Sequence, residues 1–219
     1  SAGEFVGNGA SYNVGVGACT LYNMCGNYNV ALGACSLTTN TTGASNTAVG
    51  FQALVSNAVG SNNVAVGRNA LLSNTADNNT AVGFCALRSN TTGTQNIAVG
   101  FQALRDNTTG AYNIAMGGCA LINNTTGANN TSVGFRALQS NLTGRYNIGL
   151  GEDALASNTA GSNNIAIGKS ALVSNTASNN TAVGFCALRN NTTGAINTAL
   201  GTLALLNNST GNRNVAVGY

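Results

Sequence analysis

The chain has 219 residues, of which only 13 are charged (8 Lys+Arg and 5 Asp+Glu), and it contains no His, Pro or Trp. The net charge of +3 comes from scattered basic residues, so no basic stripe predicts binding to nucleic acid. No apolar run approaches the ~20 residues of a membrane-spanning helix, and 43% apolar residues argue against a disordered chain.

The chain begins with a short segment that lies outside the repeat. We predict that residues 1–12 form an N-terminal cap or a cloning-derived segment, and no signal peptide is recognised there. From residue 13 onwards the pattern Asn-x-Ala-aliphatic-Gly recurs thirteen times, and successive copies are seventeen positions apart nine times and sixteen positions apart three times. The repeat glycines are Gly17, Gly33, Gly50, Gly67, Gly83, Gly100, Gly117, Gly134, Gly151, Gly168, Gly184, Gly201 and Gly218. We therefore predict that residues 13–219 form a single β-solenoid repeat domain of about thirteen coils.

The residues just before each repeat glycine predict a short strand. A β-branched residue stands three positions before the glycine in every copy, and an aliphatic residue or Met stands one position before it. These two positions are i and i+2, so they share one face of a strand, and a small residue lies between them. Gly and Asn recur too often for a helical stripe. The predicted fold class is all-β, a parallel β-solenoid or β-roll of 16–17-residue coils.

The residues after each glycine predict a second strand and a turn. All twelve complete copies carry Leu four residues after the glycine, and ten of the twelve precede it with Ala. We predict one core layer from Leu54, Leu71, Leu87, Leu104, Leu121, Leu138, Leu155, Leu172, Leu188 and Leu205. Asn, Thr and Gly then form a turn, and two of the shortened copies lose one residue there. Such deletions indicate that the strand register is protected.

Asparagines at equal phase predict ladders along the solenoid. All thirteen copies carry Asn four residues before the glycine, and eleven of twelve carry another Asn seven residues after it. Equal phase means equal position on successive coils, so the amides can bond to one another. We predict a structural ladder of Asn46, Asn63, Asn79, Asn96, Asn113, Asn130, Asn147, Asn164, Asn180 and Asn197 rather than a ligand site.

The complete unit, Asn-Thr-Ala-Val-Gly-x-x-Ala-Leu-x-x-Asn-Thr-Thr-Gly, resembles two groups of known repeats. Its first part is similar to the head repeats of YadA-like trimeric autotransporters. The longer unit is similar to repeats of phage tail fibres and bacterial surface proteins. The resemblance implies a left-handed parallel β-roll, a homotrimer, and an extracellular location on a cell surface or a virion tail fibre. It also implies attachment to a host surface protein or glycan.

The small residue in the middle of each predicted strand leaves two interpretations open. A face of Ala48, Ala65, Ala81, Ala98 and Ala115 would let another chain approach closely. This favours a homotrimer, because a thin solenoid gains buried area by association. Alternatively, the same alanines line a narrow core within one chain.

No combination of residues indicates catalysis. The acidic residues are Glu4, Asp77, Asp106, Glu152 and Asp153, and no His can serve as a base for a Ser or Thr nucleophile. No zinc motif is present. We therefore expect no enzyme, no metal, no cofactor, no nucleic-acid partner and no direct membrane insertion. Specific binding would fall to side chains that break the repeat, and we predict candidate receptor contacts at Tyr112, Arg145, Tyr146, Glu152 and Asp153.

Three further sets of residues recur in phase. Five cysteines lie two residues after the repeat glycine: Cys19, Cys35, Cys85, Cys119 and Cys186. Parallel stacking strains a disulfide, so we predict mostly free thiols, with a Cys19–Cys35 or interchain bridge as the alternative. Phenylalanines directly after the glycine are interpreted as partly packed, with contact to a glycan or receptor as the alternative. Asn-x-Thr sequons at Asn40, Asn90, Asn107 and Asn124 are interpreted as turns, relevant to glycosylation only in a eukaryotic secretory pathway.

Two functions compete at this point. The leading hypothesis is a structural and adhesive rod segment of an extracellular trimeric fibre without catalysis. The alternative is an ice-binding β-solenoid that presents Thr and Asn ladders. Against it, the most regular threonines are adjacent in sequence and cannot share one strand face, and the alternating position holds Thr in only five of thirteen copies.

Overall fold

The computed structural model describes residues 10–22 and 24–219, so most of the predicted N-terminal segment 1–12 lies outside the described residues. The described part of the chain contains thirteen strands of three residues each and no helix. The chain divides into two compact units, Ser1–Thr109 and Gly110–Tyr219. Unit 1 contains β1 (Val14–Val16), β2 (Val30–Leu32), β3 (Thr47–Val49), β4 (Val64–Val66), β5 (Thr80–Val82) and β6 (Ile97–Val99). Unit 2 contains β7 (Ile114–Met116), β8 (Thr131–Val133), β9 (Ile148–Leu150), β10 (Ile165–Ile167), β11 (Thr181–Val183), β12 (Thr198–Leu200) and β13 (Val215–Val217).

Within each unit the strands form one parallel sheet in which every strand pairs with the next one in sequence. The pairing stays in phase with the repeat even across the shortened copies, as Val64 pairs with Thr80 and Ile165 pairs with Thr181. The prediction of an all-β parallel β-solenoid with 16–17-residue coils is confirmed, and the shortened copies leave the strand register unchanged.

The prediction of two strands per coil is wrong, because in the described residues each strand consists of the three residues before the repeat glycine. The Ala-Leu segment is a series of turns. The residue two positions after the glycine and the Leu at the fourth position both have positive φ, and φ of the leucines lies between 48° and 55°. The Leu amides nevertheless find partners in the next coil, as Leu54 N donates to the Ala70 carbonyl at 3.1 Å. Backbone hydrogen bonds between coils therefore continue outside the sheet.

The positive φ explains how two consecutive residues can both be buried. In an extended strand, Ala and the following Leu would point to opposite sides. Here both are fully buried in most coils, for example Ala103 and Leu104. The leucines from Leu54 to Leu188 are fully buried, and Leu205 in the last complete coil is half-buried. The repeated Leu thus fills the interior of each unit.

The small residues of the strands also point inward. Ala48, Ala65, Ala81, Ala98 and Ala115 are fully buried within a single chain. The interpretation of these alanines as a surface for a second chain is therefore wrong, and the alternative of a narrow internal core holds. The repeat leucines occupy the space that the middle strand residues face. Gly149 is the middle residue of β9, and a Cβ added there would lie 3.3 Å from the Leu138 side chain.

The asparagines close the interior at the turns. All ten residues of the predicted ladder are fully buried. Backbone amides of the ladder donate to the side-chain oxygen of the Asn one coil earlier, as Asn63 N donates to Asn46 Oδ1 at 2.9 Å. The side-chain Nδ2 reaches a turn carbonyl, as Asn46 Nδ2 donates to the Gly60 oxygen at 2.8 Å. These amides are occupied by the backbone and do not face solvent.

Candidate interaction surface

The strand side chains that do not enter the core form a surface that we call the outer face, made of the first and third residues of every strand. Because strand side chains alternate between two sides, the buried middle residue leaves both neighbours pointing outward. Ile97 of β6 is 40% exposed and Met116 of β7 is 44% exposed, and most other members are half-buried. The prediction that these two positions share one face of the strand is confirmed.

The composition of the outer face is apolar. Its third-residue column contains only Val, Leu, Ile and Met, and its first-residue column contains Val, Ile and five threonines. No charged residue belongs to either column. Single exposed apolar residues are ordinary on a protein surface, whereas a contiguous apolar patch indicates an interaction site.

An aromatic row borders the outer face directly after the repeat glycine. In unit 1, Arg68 lies between Phe51 and Phe84, with its guanidinium carbon 5.8 Å and 6.0 Å from the two ring centroids. The rings of Phe84 and Phe101 are stacked with centroids 5.5 Å apart and planes 11° from parallel. Such contacts stabilise the row along the solenoid. Because the rings stack on their neighbours while staying half exposed, the row extends the apolar surface of the outer face.

The five predicted receptor contacts fall on two sides of the strands. Tyr112, Arg145 and Tyr146 are exposed in the turn before a strand. Tyr112 and Tyr146 occupy the same position two coils apart, and both have positive φ. Glu152 and Asp153 lie after the strand, so the structure does not bring all five residues together.

The two acidic candidates are engaged in ion pairs with neighbouring coils. Glu152 lies 3.0 Å from Lys169 Nζ, and Asp153 lies 2.8 Å from an Arg136 guanidinium nitrogen. The Arg136 guanidinium also lies 4.9 Å from the Phe135 ring centroid. The acidic pair is therefore neutralised locally, and the tyrosines with Arg145 are the more accessible members of the predicted set.

The cysteines are free thiols. Cys85 and Cys186 are buried, whereas Cys19 and Cys25 are exposed. Among the described residues, no group of three His, Cys, Asp or Glu side chains is placed to hold a metal ion. No helix in the described part of the chain has the length and apolar character needed to cross a membrane.

No family model, curated protein or solved structure matches this chain.

Proposed function

We propose that the chain is a structural and adhesive segment of an extracellular trimeric fibre, on a cell surface or a virion tail fibre, and that it has no catalytic role. The observation that carries the proposal is the uncharged, apolar outer face on a regular solenoid. Three copies associate through their outer faces, and accessible side chains at the border of each face contact a host surface protein or glycan.

The size of the outer face supports association with other copies. The outer face together with the aromatic row is about 13 Å wide, because four residue steps of about 3.3 Å separate the first strand residue from the aromatic position. At about 4.8 Å per strand, the six strands of unit 1 cover about 380 Å² and the seven of unit 2 about 440 Å². Each area lies in the range of functional patches on monomers. A standard protein interface buries about 800 Å² per partner, so either face alone supplies about half of that area.

The regularity of the repeat explains why the partner is a second copy of this chain. Another copy presents apolar columns with the same spacing along the coil axis, so side chains from two copies can interdigitate over many coils. The outer-face columns contain no charged residue that would have to be desolvated in such a contact. Rotational symmetry about an axis parallel to the solenoid would give every copy an equivalent environment.

A charged residue on the outer face tests this proposal. Ile148→Lys places an ammonium group in the first column of β9, where the native side chain is half-buried in the isolated chain. Sedimentation velocity is expected to show the native chain as a trimer and the variant as a monomer with unchanged circular dichroism. The control Thr143→Lys adds the same charge in the exposed turn that follows the Leu segment, away from the strand and its flanking positions, and is expected to leave the assembly intact. Trimers that persist in Ile148→Lys would contradict the proposed interface.

Adhesion is tested separately on the accessible candidates. The double substitution Tyr112→Ala and Tyr146→Ala is expected to reduce binding to a host glycan array or to immobilised matrix proteins without changing the sedimentation coefficient. If the native chain binds none of these surfaces, the adhesive part of the proposal fails while the structural part stands.

Ice binding is the second candidate, and the uncharged outer face with threonines in one column is the observation that favours it. Thr47, Thr80, Thr131, Thr181 and Thr198 lie in its first column. In several coils the threonine directly after the turn Asn is not free, because its hydroxyl donates to the next coil, as Thr91 Oγ1 donates to the Thr108 carbonyl at 3.0 Å. Thermal hysteresis by a monomeric chain would support this candidate over the fibre.

A further inference from the structure

The Asn-x-Ser/Thr sequons of the chain fall into structurally distinct groups. The sequon asparagines Asn40, Asn90, Asn107, Asn124, Asn130, Asn141 and Asn191 are fully buried. Their side-chain amides belong to the internal ladders, as Asn90 Nδ2 donates to Asn74 Oδ1 at 2.7 Å and to the Gly93 carbonyl at 2.8 Å. A modifying enzyme cannot reach these amides in the folded chain. All four sequons singled out from the sequence, at Asn40, Asn90, Asn107 and Asn124, are in this group.

A second group lies at the edge of the outer face, in the turn before a strand. Asn78, Asn129 and Asn179 are exposed, with φ of 61°, 59° and 64°. Each is followed by a fully buried ladder Asn and then by the Thr that begins β5, β8 or β11. The buried residue between them leaves the acceptor amide and the Thr on the solvent side. An enzyme that recognises both groups can therefore approach from one direction.

The hydroxyl groups separate this second group from the remaining sequons. Within the described residues, no hydrogen bond engages the hydroxyls of Thr80, Thr131 and Thr181. In the sequon of Asn190, by contrast, Thr192 Oγ1 donates to the Ser209 carbonyl at 3.0 Å.

The other sequon asparagines that are not fully buried are similarly occupied. In the sequon of Asn123, Thr125 Oγ1 donates to the Leu142 carbonyl at 2.9 Å. The side chains of Asn190 and Asn207 are hydrogen-bonded to each other at 3.2 Å. Asn208 Nδ2 donates to a ladder oxygen of the preceding coil at 2.8 Å. Among the described residues, the three sequons of the second group are therefore those in which an exposed asparagine and its Thr both have side chains without a hydrogen bond; in the sequon of Asn207 the asparagine side chain is bonded to Asn190.

We propose that Asn78, Asn129 and Asn179 are acceptor sites for N-linked glycans. The reaction joins Asn Nδ2 to the anomeric carbon of a sugar that is activated as a nucleotide diphosphate or a lipid diphosphate. The bond between that carbon and the diphosphate oxygen breaks, the diphosphate leaves with the electron pair, and the amide nitrogen loses one proton to a base of the transferase. No oxidant or reductant is involved. Because Thr80, Thr131 and Thr181 lie in the first column of the outer face, the inference concerns the folded single chain, before copies associate through that face as in the proposed function.

The chain provides its own matched controls for these sites. Asn62 and Asn163 occupy the same turn position, are exposed, and have φ of 58° and 59°. They lack only the Thr, because Val64 and Ile165 begin the strands that follow. Val64→Thr therefore creates a sequon at Asn62, and the reverse change, Thr80→Val, removes the sequon at Asn78. Both replacements use residues that the same column already contains, so both variants are expected to fold.

The test is to incubate the purified folded chain that carries Ile148→Lys, which we expect to be a monomer with an open outer face, with a soluble N-glycosyltransferase and UDP-glucose and to locate added hexoses by peptide mass spectrometry. Hexose is expected at Asn78, Asn129 and Asn179 and at none of the buried sequons. Val64→Thr is expected to add hexose at Asn62, and Thr80→Val to lose it only at Asn78. Synthetic peptides spanning residues 76–82 and 86–96 serve as unfolded controls, and both should accept hexose. A folded chain that stays unmodified while both peptides react, or that is modified equally at buried sequons, would overturn the proposal.

Discussion

Replacement of one ladder asparagine should destabilise the solenoid far more than its surface area would suggest. Asn147 is fully buried, and its Oδ1 accepts hydrogen bonds from Asn164 N at 3.0 Å and from Asn164 Nδ2 at 3.1 Å. Its Nδ2 donates to the Gly161 carbonyl at 2.8 Å. The substitution Asn147→Ala leaves the buried Asn164 N–H without an acceptor. Asn164 Nδ2 keeps the Ala177 carbonyl at 2.8 Å, and the Gly161 carbonyl keeps Asn158 Nδ2 at 2.9 Å, so those groups each lose one of two hydrogen bonds.

The magnitude follows from one buried group without a partner, about 1–3 kcal/mol, and from three further hydrogen bonds lost, about 0.5–1.5 kcal/mol each. These bonds join Asn147 to Asn164 Nδ2, the Gly161 carbonyl and Asn130 Oδ1. Partial relaxation and water entry reduce the upper end, so we expect a loss of about 3–6 kcal/mol in the free energy of unfolding. This is a large share of the ~5–15 kcal/mol of a typical domain. Opening of the affected coils should become about 10²- to 10⁴-fold more frequent, since about 1.4 kcal/mol corresponds to a factor of ten.

The assay is hydrogen exchange of the backbone amides of β9 and β10, because repeat proteins can open locally before they unfold globally. The control Asn163→Gly changes the exposed asparagine just before the ladder residue Asn164 and suits the positive φ of that position. The hydrogen-exchange rates of this control are expected to stay within about threefold of those of the native chain. Surface substitutions usually change the free energy of unfolding by no more than about 0.5 kcal/mol. An Asn147→Ala variant that loses less than about 1 kcal/mol would refute the structural role of the ladder.

Three further substitutions are tested by urea denaturation. Gly134→Ala should destabilise by about 2 kcal/mol or more, because φ is +134° and the added Cβ would lie 2.6 Å from a carbonyl oxygen of the next coil. In the control Gly118→Ala, the added Cβ would lie 3.4 Å from a Phe ring, and the free energy of unfolding should change by less than about 1 kcal/mol. Equal losses in Gly134→Ala and Gly118→Ala would contradict the role of the backbone at Gly134. Leu138→Ala should lower the free energy of unfolding by about 2.7–5 kcal/mol, because this side chain is fully buried. The control Leu142→Ala changes a side chain that is 43% exposed and should lower it by less than about 1 kcal/mol. Glu152→Gln should lower the free energy of unfolding by less than about 1 kcal/mol, with little dependence on salt, because both partners of its ion pair are about half exposed. A loss of several kcal/mol would contradict this expectation.

The strand and its register could be predicted from the sequence because both depend on local, repeated constraints. A β-branched residue and an aliphatic residue two positions apart define one face of a strand wherever the chain folds. The constant phase of Asn and Gly then requires that equivalent residues stack. The side of the strand that faces the core depends on the opposite half of the coil, where Leu104 and its equivalents leave room only for Ala, Ser or Gly.

The conformation of the Ala-Leu segment could not be predicted from residue preferences. Leu is rarely found at positive φ, since its Cβ approaches the carbonyl oxygen. In this chain the cost is offset at every coil by a buried Leu side chain and an amide bond to the next coil, such as Leu71 N to the Ala86 carbonyl at 3.0 Å. An Ala-Leu pair is locally compatible with a strand, so nothing in the residue pattern indicated this turn.

The sites depend even more on three-dimensional context. From the sequence, the strand alanines fit either an interface between chains or a narrow core within one chain. In the structure they are buried within one chain, and their strand neighbours form the apolar surface. Sequons at Asn90 and Asn78 are equivalent as motifs, yet the first is buried and the second exposed. A signal was present, because Asn78 occupies the turn position that elsewhere holds Tyr112, Gln95 or Arg213. Such variety at one phase is typical of a position that faces solvent.

The mass of the native chain in solution tests the central claim most directly. Light scattering after size exclusion should give three times the 21.8 kDa of one chain, if the outer faces are buried between copies. A single species of 21.8 kDa that keeps the same mass at high protein concentration would contradict the trimeric fibre and leave the apolar outer face exposed to solvent.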